Sequence, residues 1–330
     1  MKLIEDIQNR AKKLGRTVVL PEGDDPRTLH AAQKIIEKGI GKAIVLGKVD
    51  EIKKLAEKEG ANIDEVELID PSKSDKLDEF ANEYYELRKH KGMTEDKAKE
   101  EIQDVLFFAA MLLRKDMAHA AVAGAKNTTG NVLRAALRIV GVQEGQDTVS
   151  SCFFMVLPEF MDEKDKLFVF GDCAVVPQPN AEQLADIAIS SAKTAKNVLS
   201  IDPIIAMLSF STKGSAQHDD PEKVIEATEI IQKKAPELKV DGELQLDAAI
   251  IPKVGKKKAP DSKVAGKANT LIFPDLEAGN IGYKLVQRMA KAEAVGPVIQ
   301  GLKKPYNDLS RGCSIEDIVN VAAIALLNSV

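Results

Sequence analysis

Short apolar runs alternate with amphipathic stretches along the first half of this chain, and that alternation limits its fold more than any other feature. After an amphipathic helical pattern over residues 3–15, Thr17-Val18-Val19-Leu20 reads as a buried strand. It leads into Pro21-Glu22-Gly23-Asp24-Asp25-Pro26-Arg27. There Asp25 suits an N-cap and Pro26 the first helical position, so a helix is expected to about residue 38. The unit repeats as a strand over 42–47 and a helix over 49–59, and a further strand over 67–71 ends in a turn. Residues 119–124 form another apolar run, followed by a polar loop and a helical pattern. Strand–helix alternation of this kind predicts an α/β architecture with a mainly parallel sheet. Ligands of such sheets gather at the carboxyl ends of the strands.

Past residue 145 the texture changes. Apolar strands over 148–157 and 166–170 flank an acidic turn, which predicts an antiparallel pair. Helices are expected from Asn180 and from Asp220, with a strand over 204–210 and another ending at Leu271-Ile272-Phe273. Lys256-Lys257-Lys258 reads as an exposed loop. A length of 330 residues favours two domains. We read 150–295 as an inserted second α/β domain. The apolar run 296–301 and the last helix would then return to the first, giving 1–149 plus 296–330. A chain that crosses twice between two such domains would leave a cleft between them.

Totals exclude several classes. The net charge of −5 gives no general field for nucleic acid. No run is long and apolar enough to span a bilayer, and the N-terminus lacks a signal-peptide pattern, so a cytoplasmic location is expected. The three cysteines, Cys152, Cys173 and Cys313, are far apart and lack histidine partners at metal spacing, so neither a disulfide framework nor a zinc site is indicated. Asp172, Cys173 and Asp275 sit near strand ends and fit a divalent metal or ordinary turn chemistry; no metal is expected.

Any anion site must therefore be local. Near the C-terminus a polar loop carrying Ser310, Arg311, Gly312 and Cys313 enters a helix patterned by Ile315, Ile318, Val319 and Ala322. Ser314 fits an N-cap, and Asp317 three residues on completes a capping-box pattern. The same residues read either as a simple cap beside a solvated arginine or as a helix-mouth anion site. Ala125-Lys126-Asn127-Thr128-Thr129-Gly130 joins a strand to a helix and reads as an anion loop or a plain turn. It is not a Walker A loop, and no G-x-G-x-x-G follows any strand. Arg88 belongs to a basic cluster at a helix end, and Arg27 is either a rim contact or a surface arginine.

Together these motifs resemble the phosphate acetyltransferases (phosphotransacetylases) from end to end. The likeness rests on Asn307-Asp308-Leu309-Ser310-Arg311-Gly312-Cys313-Ser314 with Asp317, and on Gly279-Asn280-Ile281-Gly282-Tyr283-Lys284. The Thr128-Thr129 loop running to Arg134, and the stretch 84–94 carrying Arg88, support it. The loop departs from the commoner family form, with Asn127 in place of a frequent histidine and Gly130-Asn131 in place of Ala-Asp. The resemblance implies two α/β domains resembling the isocitrate/isopropylmalate dehydrogenase-like fold, with the active site in the cleft between them. It also implies a homodimer, with domain 2 expected to carry the dimer contact. The implied reaction is acetyl-CoA plus phosphate to acetyl phosphate plus CoA, with coenzyme A as substrate and no permanently bound cofactor. Acetate kinase would be the metabolic neighbour. Asp317 is implied as base and Ser310 and Arg311 as catalytic partners. Thr128, Thr129 and Arg311 would hold acetyl phosphate, and Arg88, Arg134 and Arg27 would bind CoA. Rival readings are a phosphate butyryltransferase, a non-catalytic acyl-phosphate or CoA module, and an acyl-thioester route through Cys313.

Overall fold

Residues 2–330 are described by a computed structural model. Its strands are, in chain order, β1 (Thr17–Leu20), β2 (Lys42–Leu46), β3 (Glu67–Ile69), β4 (Ala120–Ala123), β5 (Ser150–Phe160), β6 (Glu163–Gly171), β7 (Ile204–Leu208), β8 (Lys239–Leu244), β9 (Thr270–Ile272), β10 (Glu293–Gln300) and β11 (Tyr306–Asp308). They make two sheets in two α/β units. One unit runs as far as Gln143 and resumes over Leu302–Val330; the other is Glu144–Gly301.

The first unit holds a sheet of order β11-β4-β1-β2-β3, and every pairing in it is parallel. Strands of such a sheet are covered on both faces, which is why β1 and β4 read as unbroken apolar runs. The chain moves outward from β1 to β2 and β3, then returns to place β4 on the other side. That reversal falls between β1 and β4, so their carboxyl ends diverge around a crevice. The last helix, Ile315–Asn328, packs on β4 and on the helices Lys2–Lys12 and Pro26–Glu37. It is apolar almost all round, and Ile318, Val319, Ala322, Ile324 and Leu326 are buried. Such a helix belongs to the core. Each buried Leu, Ile or Val side chain contributes about 1.5–3 kcal/mol. The N-terminus of this helix is therefore held firmly, and with it the loop that precedes it.

The second unit carries a mixed sheet of order β10-β5-β6-β9-β7-β8. β5 pairs antiparallel with β6 and β10, while β6, β9, β7 and β8 run parallel. Asn180 caps the long helix Ala181–Leu199, as the sequence predicts, and Gln183 reaches back to complete a capping box.

Three expectations change. The run 296–301 does not return to the first sheet. Val298, Ile299 and Gln300 pair antiparallel with Cys152, Ser151 and Ser150, so their apolar faces complete the second sheet. The strand that re-enters the first unit is β11, hidden in a polar stretch and paired to β4 at Tyr306–Ala121 and Asp308–Ala123. The lysines 256–258 close the short helix Pro252–Lys258 rather than a loop, where cations favour the C-terminal dipole.

Candidate active site

Three loops follow the carboxyl ends of β1, β4 and β11 in the first unit, and side chains tie them together. The Glu22 carboxylate, after β1, is buried. It accepts from the backbone N–H groups of Gly124 (3.1 Å), Ala125 (2.8 Å), Lys126 (3.1 Å) and Asn127 (2.7 Å), and from Asn127 Nδ2 (3.0 Å). Glu22 thus occupies the amide nest that the sequence offered to a phosphate. Thr128, exposed, and Thr129, half-buried, lie beyond these amides in the Ala125–Gly130 loop. Thr128 caps the following helix, Thr129–Ala135, its hydroxyl accepting from Asn131 N.

Arg27 joins all three loops. Its Nε and Nη2 donate to Asp25 at 3.0 and 2.6 Å, its Nη1 to the carbonyls of Arg311 (2.8 Å) and Cys313 (2.9 Å), and its Nη2 to the carbonyl of Ala125 (2.8 Å). A guanidinium has five N–H donors, and these bonds use them all. Burial pushes the Asp25 carboxyl up, but its hydrogen bonds with Arg27 and that residue's charge outweigh it and hold it below the ordinary value. The sequence leaves Arg27 as a rim contact, with CoA as its candidate ligand, or a surface arginine; in the structure its donors brace the three loops.

Between β4 and β11 the backbones come very close. Gly124 lies at φ +103°, and a Cβ there would stand 2.4 Å from Asp308 Oδ1 and 2.5 Å from Leu309 N. Only glycine permits that approach. It sets the loop after β11 beside the loop after β4. Arg311 reaches across, its Nη1 donating to the carbonyl of Asn127 at 3.3 Å, and its side chain is exposed. Ser310 is also exposed, its hydroxyl accepting from Gly312 N. Asp317 completes a capping box: its Oδ2 accepts from Ser314 N (2.8 Å) and Ser314 Oγ (2.9 Å), while Asp317 N donates back to Ser314 Oγ (3.1 Å). Both bonds accepted by the carboxylate fall on Oδ2, and the residue is exposed at the helix mouth.

In the sequence Asp308 stands out only as part of the Asn307–Ser314 motif. Its Oδ2 accepts from Thr129 Oγ1 at 2.5 Å. Burial pushes its carboxyl up to about 6, against the hydrogen bond from Thr129 and the charge of Arg311. Glu22 and Asp308 are the residues that sequence reasoning missed. Neither belongs to a spacing pattern, and each gains its role from a strand distant in sequence. The Cys313 thiol lies beneath this loop, and burial pushes it up despite the guanidinium of Arg27 nearby.

The remaining arginines stand apart from this cluster. Arg134 is exposed on the helix Thr129–Ala135 and donates to Asn131 Oδ1 at 2.8 Å. Arg88 ends the helix Leu77–Arg88, which packs on the stretch Ala136–Val140. A polar cluster holds that packing: Tyr84 donates to Glu101 at 2.6 Å, and Arg138 donates to the same carboxylate at 3.1 Å. In the second unit, Asp172 and Asp275 are committed to backbone amides. Asp172 accepts from the Ser151, Ala174, Val175 and Val176 amides, and Asp275 caps the helix Leu276–Met289. Among the described residues, no three His, Cys, Asp or Glu side chains gather as a metal cluster.

Known proteins resemble the chain over its whole length. The family model for phosphate acetyl/butaryl transferase matches residues 2–326. A phosphate acetyltransferase of Thermoanaerobacterium thermosaccharolyticum is 52% identical over 98% of both chains. A solved phosphotransacetylase from Streptococcus pyogenes superposes with a TM-score of 0.94 at 41% identity, over 99% of this chain and 98% of that one. Another, from Staphylococcus aureus, gives 0.91 at 43% identity over 99% of each. With a family match of that extent and relatives of that identity, the chain belongs to the phosphate acetyl/butaryl transferase family and is an acyltransferase.

Proposed function

We propose that the chain transfers an acetyl group reversibly between CoA and inorganic phosphate, by direct attack of the CoA thiolate on acetyl phosphate in a ternary complex. The observation that carries this reading is the meeting of the β4 and β11 loops. It ties Arg311 to the carbonyl of Asn127, next to Thr128, and ties Asp308, two residues before Ser310, to Thr129, with Asp317 at the start of a buried helix close by in sequence.

A free thiol titrates near ~8.5, so CoA at neutral pH is mostly the poorer nucleophile. Asp317 Oδ1 takes the thiol proton as the sulfur attacks the acetyl carbonyl. The Ser314 cap keeps this carboxylate in place while Oδ2 is occupied. Negative charge then builds on the carbonyl oxygen, and Ser310 donates to it, an effect of about 3 kcal/mol in comparable sites. Collapse breaks the C–O bond and releases phosphate, whose charge Arg311 neutralises. Thr128 and Thr129 hold the acyl phosphate before transfer. Arg88 and Arg134 bind CoA through its phosphates. Arg27 acts differently: with its donors spent on Asp25 and three carbonyls, it holds the loops rather than CoA.

The relatives named phosphate acetyltransferase support the acetyl substrate over butyryl. A nucleophilic Cys313 is disfavoured, because burial pushes its thiol pKa up and Arg27 spends its donors mainly on carbonyls and Asp25. We also propose a homodimer built through the second unit, where Ile281, Leu285 and Met289 leave one exposed apolar stripe on the helix Leu276–Met289. An acetate kinase would be the natural consumer of the acetyl phosphate. Phosphate-dependent consumption of acetyl-CoA, compared with butyryl-CoA and run with chelator present, tests the function. Faster turnover of acetyl-CoA is expected. Preference for butyryl-CoA would move the chain to the other branch of its family, and no turnover of either would leave a non-catalytic binding module.

A further inference from the structure

We propose that Asp308 takes up one proton when phosphate or acetyl phosphate binds, and that this proton turns Thr129 into a hydrogen-bond donor to the bound anion. The inference rests on the reading of Thr129 as a contact of the acyl phosphate.

Asp308 closes β11 and is 4% exposed. Its two oxygens differ. Oδ2 lies 2.5 Å from Thr129 Oγ1, whereas Oδ1 has no hydrogen-bond partner among the described residues. Oδ1 instead fills the space that a side chain at Gly124 would take. The neighbouring amide, Leu309 N, donates to the carbonyl of Ala123 at 2.8 Å. A buried carboxylate with one oxygen unserved is poorly stabilised as an anion. The charged and titratable groups facing it are Glu22 from the loop after β1, Arg311 from its own loop, and the buried Tyr306 on its own strand. Burial and Glu22 favour the neutral acid; Thr129 and Arg311 favour the anion, and the Leu309 amide, already bonded to Ala123, adds a smaller push the same way.

A threonine hydroxyl carries a single proton. While Asp308 is ionised, Thr129 must donate that proton to Oδ2, and its oxygen faces a ligand only as an acceptor. An acceptor does not bind a fully ionised phosphate. Once Oδ2 is protonated, Asp308 donates to Thr129 Oγ1 and the hydroxyl proton turns to the anion. The incoming negative charge also draws on Arg311, which weakens the second support of the Asp308 anion after the Thr129 hydrogen bond. The proton comes from solvent and returns there when the anion leaves; no other bond changes. Asp308 is a positioning residue in this scheme, since it reaches the substrate through Thr129.

The test is the pH profile of the phosphate KM in wild type and in Asp308→Asn, whose amide donates to Thr129 at every pH. The ionisation of phosphate itself is common to both and cancels in their ratio. Near pH 5.5 the wild-type and variant values should agree. As pH rises the wild-type value should pull away from that of the variant, by at most about tenfold per pH unit for one proton. A constant ratio from pH 5.5 to 8.5 would overturn the proposal. Should Asp308→Asn not fold, Thr129→Val and Thr129→Ser serve instead. The valine variant should bind phosphate more weakly than the serine variant, with the gap widest at low pH, where the hydroxyl donates. A gap that is the same at every pH defeats the proton scheme alone. No gap at any pH removes Thr129 from the phosphate site and the underlying reading with it.

Discussion

Asp172 and Asp308 are the same residue type at the same place, the carboxyl end of a strand, one in each unit, yet their surroundings give them opposite characters. Asp172 follows β6 and is served on both oxygens. Oδ1 accepts from Ser151 N, Ser151 Oγ and Ala174 N, and Oδ2 from Val175 N and Val176 N. Asp308 is the last residue of β11 paired to β4 and has one hydroxyl on one oxygen. The nest of free amides lies across from it, but Glu22 has taken those. A strand-end carboxylate surrounded by amides is a post that fixes its turn. One denied them remains able to exchange a proton. The first unit therefore contains both kinds, Glu22 as post and Asp308 as proton acceptor. The strand-end carboxylates of the second unit, Asp172 and Glu243, have donors to hand, Glu243 from Ser211 Oγ and Gly214 N.

Substitutions should separate the two regions. Arg27→Ala strips donors from Asp25 and from three backbone carbonyls in the first unit. Loops that carry Ser310 and Arg311 would shift, and small displacements of catalytic groups cost up to about 10²-fold. We expect kcat/KM to fall by about 10–100-fold for both CoA and acetyl phosphate, with a lower Tm. Arg27→Lys should not restore it, because one ammonium does not span three loops. A rise confined to the CoA KM would return Arg27 to the CoA site and discard the brace.

Asp172→Asn should do the reverse. It removes a buried, fully bonded carboxylate from the second unit, at a cost of roughly 1–3 kcal/mol in stability. Denaturant unfolding should show that loss, while kcat of the folded enzyme stays at the wild-type value. A lost kcat with unchanged stability would mean that the second unit holds chemistry and that the contrast drawn here is false. The smallest effect belongs to Cys313→Ala, whose turnover should match wild type in a steady-state assay. A collapse in turnover, with a burst of acyl-enzyme in wild type, would establish the covalent route instead.

Much of this was readable from residues 17–69, where strand and helix signals are strong and local. Parallel strands buried on both faces show as apolar runs, and Asp25-Pro26 marks a helix start that the structure reproduces. The capping box of Ser314 and Asp317 was equally plain, since both partners lie within one turn. What escaped depended on distant pairing. β8, Lys239–Leu244, mixes charged residues and glycine because it lies at a sheet edge, so it lacks a strand's apolar signature. β11 is three residues long, and two of them are polar; its strand character comes from β4. The run 296–301 looked like the returning strand because it is apolar, but apolarity does not say which sheet buries it. The site shows the same division. Ser310, Arg311 and Asp317 share one short motif, so a local pattern is enough to name them as candidates. Glu22 and Asp308 acquire their roles from residues 102 and 179 positions away, beyond the reach of any local pattern.

The central claim is that the helix-mouth carboxylate of Asp317 performs the proton transfer that starts acyl transfer. Its most direct test is the steady-state rate of acetyl-CoA formation from acetyl phosphate and CoA in Asp317→Asn, beside thermal melting of the same variant. In this variant kcat should fall by about 10²–10⁴-fold, the contribution of a positioned general base, with the CoA KM little changed and the fold intact. A folded Asp317→Asn enzyme with wild-type kcat would contradict it.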